Sequence, residues 1–205
     1  MNGRRSALGT LGASAALAAV LALAGCASSG TGSTGSSGTG DGMGHDEHAT
    51  TGADATSEAN AADIMFAQMM LPHHEQALEM SGIVLAKDGV DADVAELAEQ
   101  IEAAQGPEIE QLESWLDEWG APAAGNDMAM DGMLSEAELD ELEAADGASA
   151  SQVFLEQMIA HHEGAVAMAE EHLENGAHEG ALAMSDAIIE SQTTEITQMR
   201  EMLAG

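Results

Sequence analysis

Apolar residues recur at intervals of three and four along residues 58–205, which is the spacing of an amphipathic α-helix. The pattern predicts four long helices, at residues 63–86, from 91 or 93 to 119, from 149 or 151 to 175, and from 178 to 203. A capping box of Ser135 and Glu138 predicts a short helix that ends near Ala145 and is stopped by Gly147. No stretch shows the alternating pattern of a β-strand. We therefore expect an all-α four-helix bundle with a short extra helix in the central connection.

Prolines lie inside two of the predicted helices. Gly106-Pro107 predicts a bend or an interruption in the second helix, and Pro72 predicts a kink in the first. The position that corresponds to Pro72 in the second half of the chain is Ala160, so the kink is not expected there.

The four long helices are two copies of one helical hairpin. Residues 66–80 have the sequence FAQMMLPHHEQALEM, and residues 154–168 have the sequence FLEQMIAHHEGAVAM. After a shift of one residue, residues 101–116 correspond to residues 188–203. The identical pairs in the first segment are Phe66/Phe154, Met70/Met158, His73/His161, His74/His162, Glu75/Glu163, Ala77/Ala165 and Met80/Met168.

The duplicated segment places histidine and methionine on one face of a helix. On a helical wheel, His73 shares its face with Met70 and Met80, whereas His74 lies on the flank at about 100° and Glu75 points away. The second copy repeats this arrangement and adds one more histidine to the inward face. The residues on that face are Met158, His161, Ala165, Met168 and His172.

Imidazole and thioether groups together favour copper, especially Cu(I), over hard cations. His73 and Met80 lie about 10 Å apart along the helix axis, so one ion is expected to take ligands from both repeats or from Met69 or Met70 one turn away. Three further methionines lie in the predicted loop at residues 120–132 or next to it. The candidate metal ligands are His73, His74, Met70, Met80, His161, His162, Met158, Met168, His172, Met128, Met130 and Met133.

Each of these assignments has a structural alternative. Methionine is a common flexible filler of cores, and a lone inward histidine is usually a hydrogen-bonded core residue. The duplicated Gln105, Glu108, Gln192 and Glu195 fit either hydrogen-bond partners of the imidazoles or an exposed helix face. The methionine loop fits either capture of Cu(I) or Ag(I) or a hydrophobic plug over the bundle end. Adjacent histidines in both halves favour metal binding, because packing alone does not require them.

The N-terminal segment has the features of an export signal. Arg4 and Arg5 precede an apolar run at residues 13–23, and the tetrapeptide that ends at Cys26 resembles the lipobox of bacterial lipoproteins. We expect a lipoprotein signal peptide at residues 1–25, a lipidated Cys26, a flexible Gly/Ser/Thr-rich tether at residues 26–57 and a helical domain at residues 58–205. An ordinary cleaved signal with a chance cysteine is the alternative.

Composition narrows the classes of partner. The formal net charge is −33, and Lys87 and Arg200 are the only basic residues after position 5, which excludes a nucleic-acid partner. Cys26 is the only cysteine, so with its lipidation no disulfide or thiolate metal site remains within the chain. The tether contains a Met/His cluster at residues 43–48, which fits either a metal-collecting arm or a plain linker.

The sequence shows no sign of an enzyme. It contains no nucleophile with a partnered base, no phosphate-binding loop and no cofactor fingerprint. A di-iron carboxylate bundle uses Glu-x-x-His pairs, and no histidine in this chain has a glutamate three residues before it.

The doubled M-x-x-H-H-E-x-A-x-x-M segment, together with the lipobox, resembles the DUF305 family. Its members include CopM-like periplasmic or secreted copper-binding proteins with a ferritin-like helical bundle. The resemblance covers residues 60–204 and implies copper binding and copper tolerance. The residues that match the motif are His73, His74, Met80, His161, His162 and Met168.

Together these features predict an extracytoplasmic, lipid-anchored protein that sequesters or buffers copper, with a protein partner for copper transfer as an option. The alternatives are a metal-independent structural or interaction lipoprotein, a Zn or Ni scavenger that uses histidines alone, and a di-iron protein.

Overall fold

The computed structural model describes residues 58–123 and 132–205, and within these ranges it contains five α-helices and no strand. The helices are α1 (Ala61–Leu85), α2 (Ala92–Glu118), α3 (Glu136–Ala144), α4 (Gly147–Asn175) and α5 (Glu179–Ala204). This confirms the predicted all-α class, with four long helices and one short helix. None of the described helices is long and apolar enough to span a membrane.

Local capping sets where the helices begin. Asn60 caps α1, since its Oδ1 accepts hydrogen bonds from the N–H groups of Ala62 and Asp63, and Asp63 Oδ2 accepts from the N–H of Asn60 at 2.6 Å. The capping box predicted for α3 is present, because Glu138 Oε2 accepts from the N–H of Ser135 at 2.8 Å. The short-range bonds of the capping box explain why sequence alone located the start of α3, whereas α1 begins two residues before the predicted position.

The predicted start of α4 is wrong. The helix begins at Gly147, with Asp146 as its N-cap, and not at Ser149 or Ser151. Gly147 is therefore the first helical residue and does not act as a stop. A side chain at this position would collide with the backbone of Asp88 and Gly89, so glycine lets the α1–α2 connection pack against the start of α4.

The sequence predicted a bend or an interruption of α2 at Gly106-Pro107. The interruption is wrong, because the helix continues through both residues, and the bend stays a prediction. Ile101 and Leu112, on either side of the proline, are both fully buried. Packing of this face holds the helix together despite the hydrogen bond that proline cannot donate. The first helix likewise continues through Pro72.

The core consists of two hydrophobic clusters, one toward each end of the bundle. The α3 cluster contains Ala77, Met80, Val84, Val94, Leu97, Ala98, Ile101, Leu142, Ala150, Phe154, Leu155, Met158, Ile196 and Met199. The tryptophan cluster contains Phe66, Ala67, Met70, Leu71, Leu112, Trp115, Leu116, Ala165, Ala169, Ala181 and Ile188.

The direction of each helix follows from which cluster its first residues and its last residues belong to. Helix α1 starts in the tryptophan cluster and ends in the α3 cluster, whereas α4 runs in the opposite direction. Helices α2 and α5 are antiparallel to their hairpin partners, α1 packs against α4, and α3 lies against both. The two hairpins are thus joined mainly through α1 and α4, the helices that carry the paired histidines.

Candidate metal centre

A polar layer separates the two hydrophobic clusters in the middle of the bundle. Helices α1 and α4 contribute His73, His74, His161 and His162, none of which is more than 1% exposed. The rings of His73 and His161 meet across the α1–α4 contact, with centroids 3.7 Å apart and planes inclined by 39°. Four imidazoles therefore lie in a layer from which water is excluded, which we call the histidine layer.

Each hairpin supplies a carboxylate to one histidine of the layer. His74 Nε2 lies 2.9 Å from Glu108 Oε2 of α2, and His162 Nε2 lies 2.6 Å from Glu195 Oε2 of α5. A carboxylate accepts a hydrogen bond, so the proton of each neutral ring is held on Nε2 and the lone pair is left on Nδ1. Both Nδ1 atoms are buried and have no hydrogen-bond partner within residues 58–123 and 132–205. They are the ring atoms through which these two histidines could bind a metal ion.

These contacts confirm the interpretation of Glu108 and Glu195 as imidazole partners. For Gln105 and Gln192, which are also buried, the same interpretation stays a prediction.

The flanking position predicted for His74 understates its burial. The helical wheel describes α1 alone, whereas in the bundle α2 covers this flank and leaves the side chain fully buried. The equivalent His162 is covered in the same way by α5. All four paired histidines are therefore interior residues.

Electrostatics favours the neutral form of one imidazole in the layer, that of His161. Burial lowers the pKa of His161 well below its ordinary value, and the proximity of the other three histidines lowers it further. A hydrogen bond with the backbone of His73 opposes these effects only in part. The neutral form is the one that binds metals.

The methionines of the duplicated segment differ in how deeply they are buried. Met70 and Met158 lie one turn before the inward histidines and are fully buried, one in each hydrophobic cluster. Met80 is also fully buried, in the α3 cluster. Met168 is partly exposed and lines a surface cavity. Thioethers thus flank the histidine layer on both sides, but the two copies differ at their last methionine.

His172 belongs to a different cluster at the start of α1. Its Nδ1 lies 2.7 Å from Ser185 Oγ, its Nε2 lies 2.9 Å from Asp63 Oδ1, and its ring stacks on Phe66 with centroids 4.2 Å apart. Both ring nitrogens are engaged, so this arrangement gives His172 a structural role and leaves no nitrogen for a metal. Sequence reasoning missed Asp63 and Ser185, which carry no local signal beyond the capping position of Asp63.

The remaining predicted site residues lie mostly outside the described residues. Met128 and Met130 are among these, as are the signal peptide, Cys26, the tether and its Met/His cluster at residues 43–48. Met133 is described and is partly buried. These assignments stay predictions.

Within residues 58–123 and 132–205, no group of three or more His, Cys, Asp or Glu side chains is arranged to hold a metal ion.

Comparisons with known proteins agree with this architecture. The family model DUF305, a domain of unknown function, matches residues 63–203. A DUF305 protein from Streptomyces coelicolor that is described as secreted has 36% identity and a TM-score of 0.65, and the match covers 70% of this chain and 92% of that one. A DUF305 fragment from Deinococcus radiodurans has 34% identity and a TM-score of 0.66, with 71% and 97% covered.

The third similar structure is CopM in its Cu(I)-bound form, with 34% identity, a TM-score of 0.58, and coverage of 68% of this chain and 93% of that one. CopM has also been solved with Ag, with Cu(II) and without metal. No curated protein matches the chain. The family match and the shared helical fold show that the chain belongs to the DUF305 family.

Proposed function

We propose that this protein binds monovalent copper in the histidine layer and sequesters or buffers it outside the cytoplasm. The observation that carries the proposal is the pair of buried Nδ1 atoms on His74 and His162, each on a ring oriented by a carboxylate. A buried polar atom without a partner destabilises the fold unless something satisfies it. A metal ion bound at Nδ1 would satisfy it.

The choice of Cu(I) is supported by the character of the surroundings. The four imidazoles of the layer are buried, burial lowers the pKa of His161, and the thioethers of Met70 and Met158 flank the layer. The similar protein CopM has been solved with Cu(I) and with Ag, two soft monovalent ions. A Zn or Ni scavenger fits less well, because the described residues contain no group of three nitrogen or carboxylate ligands.

The negative charge of the protein is consistent with a role in binding copper. The formal charge of −33 raises the local concentration of cations at the surface. Glu108 and Glu195 are partly exposed at the outer edge of the layer, so they connect the buried imidazoles with solvent.

Location and anchoring rest on the N-terminal segment. A lipidated Cys26 at the start of a tether would hold the helical domain at the outer side of the cell membrane. The relative from Streptomyces coelicolor that is described as secreted supports an extracytoplasmic place. We also propose that the protein performs no catalytic turnover and that a partner protein receives the bound copper.

An anaerobic Cu(I) competition titration against a coloured chelator tests the proposal. We expect stoichiometric binding by the full-length protein and a loss of affinity of more than about 100-fold in His74→Ala/His162→Ala and in His73→Ala/His161→Ala, because ligands matter more than their hydrogen-bond partners. The matched control is His45→Ala/His48→Ala, which removes two histidines of the tether. Loss of binding only in this control would move the site to the tether, and no binding by the parent would favour a metal-independent structural lipoprotein.

A further inference from the structure

A surface cavity of about 270 Å³ lies between the first half of α1 and the second half of α4. Three methionines line it: Met65 and Met69 from α1, and Met168 from α4. His172 and Glu171 complete its polar lining together with Asn175, and the rest of the wall is apolar. We call this cavity the thioether pocket.

The exposure of these methionines is not explained by core packing. Met65 is 56% exposed and is one of two large hydrophobic side chains that are exposed among the described residues. Met69 and Met168 are partly exposed. Residues four apart share one face of a helix, so Met65 and Met69 face the same groove, and Met168 faces it from the other side. Three polarisable sulfur atoms thus border one solvent-accessible cavity.

The duplication provides an internal comparison. The equivalents of Met65, Met69 and Met168 in the other half are Val153, Gln157 and Met80. That groove is covered by the segment leading into α3 and by α3 itself, since Gln157 Nε2 donates to the carbonyl of Glu138 at 2.8 Å. There Met80 is fully buried. The covered groove therefore contains one methionine at these positions, whereas the equivalent open groove contains three.

We propose that the thioether pocket is a second site for a soft monovalent cation, Cu(I) or Ag(I), held by the sulfur atoms of Met65, Met69 and Met168. Thioethers select soft ions over Ca²⁺, Mg²⁺ and Zn²⁺. Both nitrogens of His172 are already hydrogen-bonded, so the three sulfur atoms are the ligands. The nearby carboxylate of Glu171 offsets part of the positive charge.

The pocket is separate from the histidine layer. Met168 lies seven residues after His161, or about 10 Å along the helix axis. An ion in the pocket contacts solvent, whereas an ion in the layer does not, so we expect faster exchange at the pocket. The proposal stands whether or not the layer binds copper.

The test uses the full-length protein labelled with ¹³C at its methionine methyl groups. The probe is silver nitrate in chloride-free buffer, because Ag(I) is soft and does not change its oxidation state. We expect the methyl signals of Met65, Met69 and Met168 to shift together along one saturation curve, which corresponds to one equivalent of Ag(I) beyond what the histidine layer takes up. Single Met→Leu variants assign the three signals, and thermal unfolding checks that each variant is folded.

Two variants decide the outcome. Met65→Leu/Met69→Leu/Met168→Leu should lose one equivalent of bound Ag(I), whereas the matched control Met202→Leu should lose none, because leucine keeps the volume and removes the sulfur. In His74→Ala/His162→Ala the three methyl signals should still shift, which separates this site from the histidine layer. Methyl signals that stay still while other methionines respond, or an unchanged stoichiometry in the triple variant, would overturn the proposal.

Discussion

The two copies of the hairpin keep the same side-chain contacts in the middle of the bundle but not at its two ends. In the middle, each hairpin places one histidine against a glutamate of its second helix, at 2.9 Å for His74 and Glu108 and at 2.6 Å for His162 and Glu195. At the ends the copies diverge. The internal symmetry is therefore retained in the histidine layer and relaxed at the two ends of the bundle.

The ends differ in chemistry at equivalent positions. The tryptophan end holds a buried network of Asp63, His172 and Ser185. The equivalent positions at the α3 end are Ser151, Val84 and Ala98. Two apolar residues thus replace the hydrogen-bonded partners, and the α3 cluster fills the space.

One task is nevertheless common to both ends. Asp63 accepts hydrogen bonds from the N–H groups of Ala177 and His178 at 3.0 Å, and Ser151 Oγ accepts from the N–H of Asp91 at 3.0 Å. Each residue stands in the first turns of one hairpin and holds the connection of the other. Two different side chains thus accept hydrogen bonds from the connection of the opposite hairpin, a charged carboxylate at one end and a neutral hydroxyl at the other.

The largest effect on stability is expected when Asp63 is replaced, and the same replacement at Ser151 should have a much smaller effect. Asp63→Ala should lower the free energy of unfolding by about 3–5 kcal/mol, because it leaves His172 buried without its carboxylate and removes the acceptor of two partly buried backbone N–H groups. Ser151→Ala should lower it by about 1 kcal/mol, the value of an ordinary hydrogen bond. Denaturant unfolding of the two variants measures both. Equal losses would show that the charge at the tryptophan end adds nothing.

The covered groove depends on one glycine. Gly132 has φ +86°, and a side chain there would press on the backbone of Ala160, His161 and Gly164. We expect Gly132→Ala to reduce stability by about 2–4 kcal/mol, which combines backbone strain with displacement of the connection from α4.

Gly120→Ala is the matched control for this prediction, since Gly120 has φ +65° and an open surrounding. Only the strain term of about 1–2 kcal/mol should appear there. Similar losses in the two variants, measured by thermal unfolding, would contradict close packing of the connection against α4.

The symmetry of the histidine layer can be tested with two isosteric variants. Glu108→Gln and Glu195→Gln should each weaken Cu(I) affinity by about 10–100-fold, because an amide no longer holds the proton on Nε2 with a full charge. Chelator competition gives both values. Losses that differ by more than tenfold between the two variants would show that the two halves do not contribute equally.

The smallest effect is a dependence on pH at the tryptophan end. Burial alone raises the pKa of Asp63, but the hydrogen bonds from Asn60, His178, His172 and Ala177 outweigh it and lower the pKa below its ordinary value. A lowered pKa stabilises the fold fully above the ordinary range of about 4, and this contribution is lost as the pH falls through the folded-state value. The stability difference between the parent and Asp63→Asn should therefore shrink below about pH 4. Ser151→Ala serves as the control, with a difference that stays constant, and a difference that grows on acidification would contradict the lowered pKa.

Much of this fold follows from short stretches of sequence. The capping box of Ser135 and Glu138 and the helical period from Asp63 onward depend on neighbours within four residues, so sequence alone locates them. The continuity of α2 through Pro107 does not, because it depends on packing of Ile101 and Leu112 against other helices. The prediction that Gly147 stops a helix was wrong for the same reason. Its lack of a side chain lets the α1–α2 connection pack against the start of α4, and this contact is not visible in the local sequence.

The sequence by itself determined the duplicated His-His segment, the inward face that carries His73 and His161, and the soft character of the candidate ligands, because these depend on residue type and helical spacing. Only the tertiary structure decided that His74 is buried and faces Glu108, 34 residues away, and that Asp63 takes up His172, 109 residues away. A helical wheel assigns directions around one helix, whereas burial and hydrogen-bond partners depend on which other helix covers each direction.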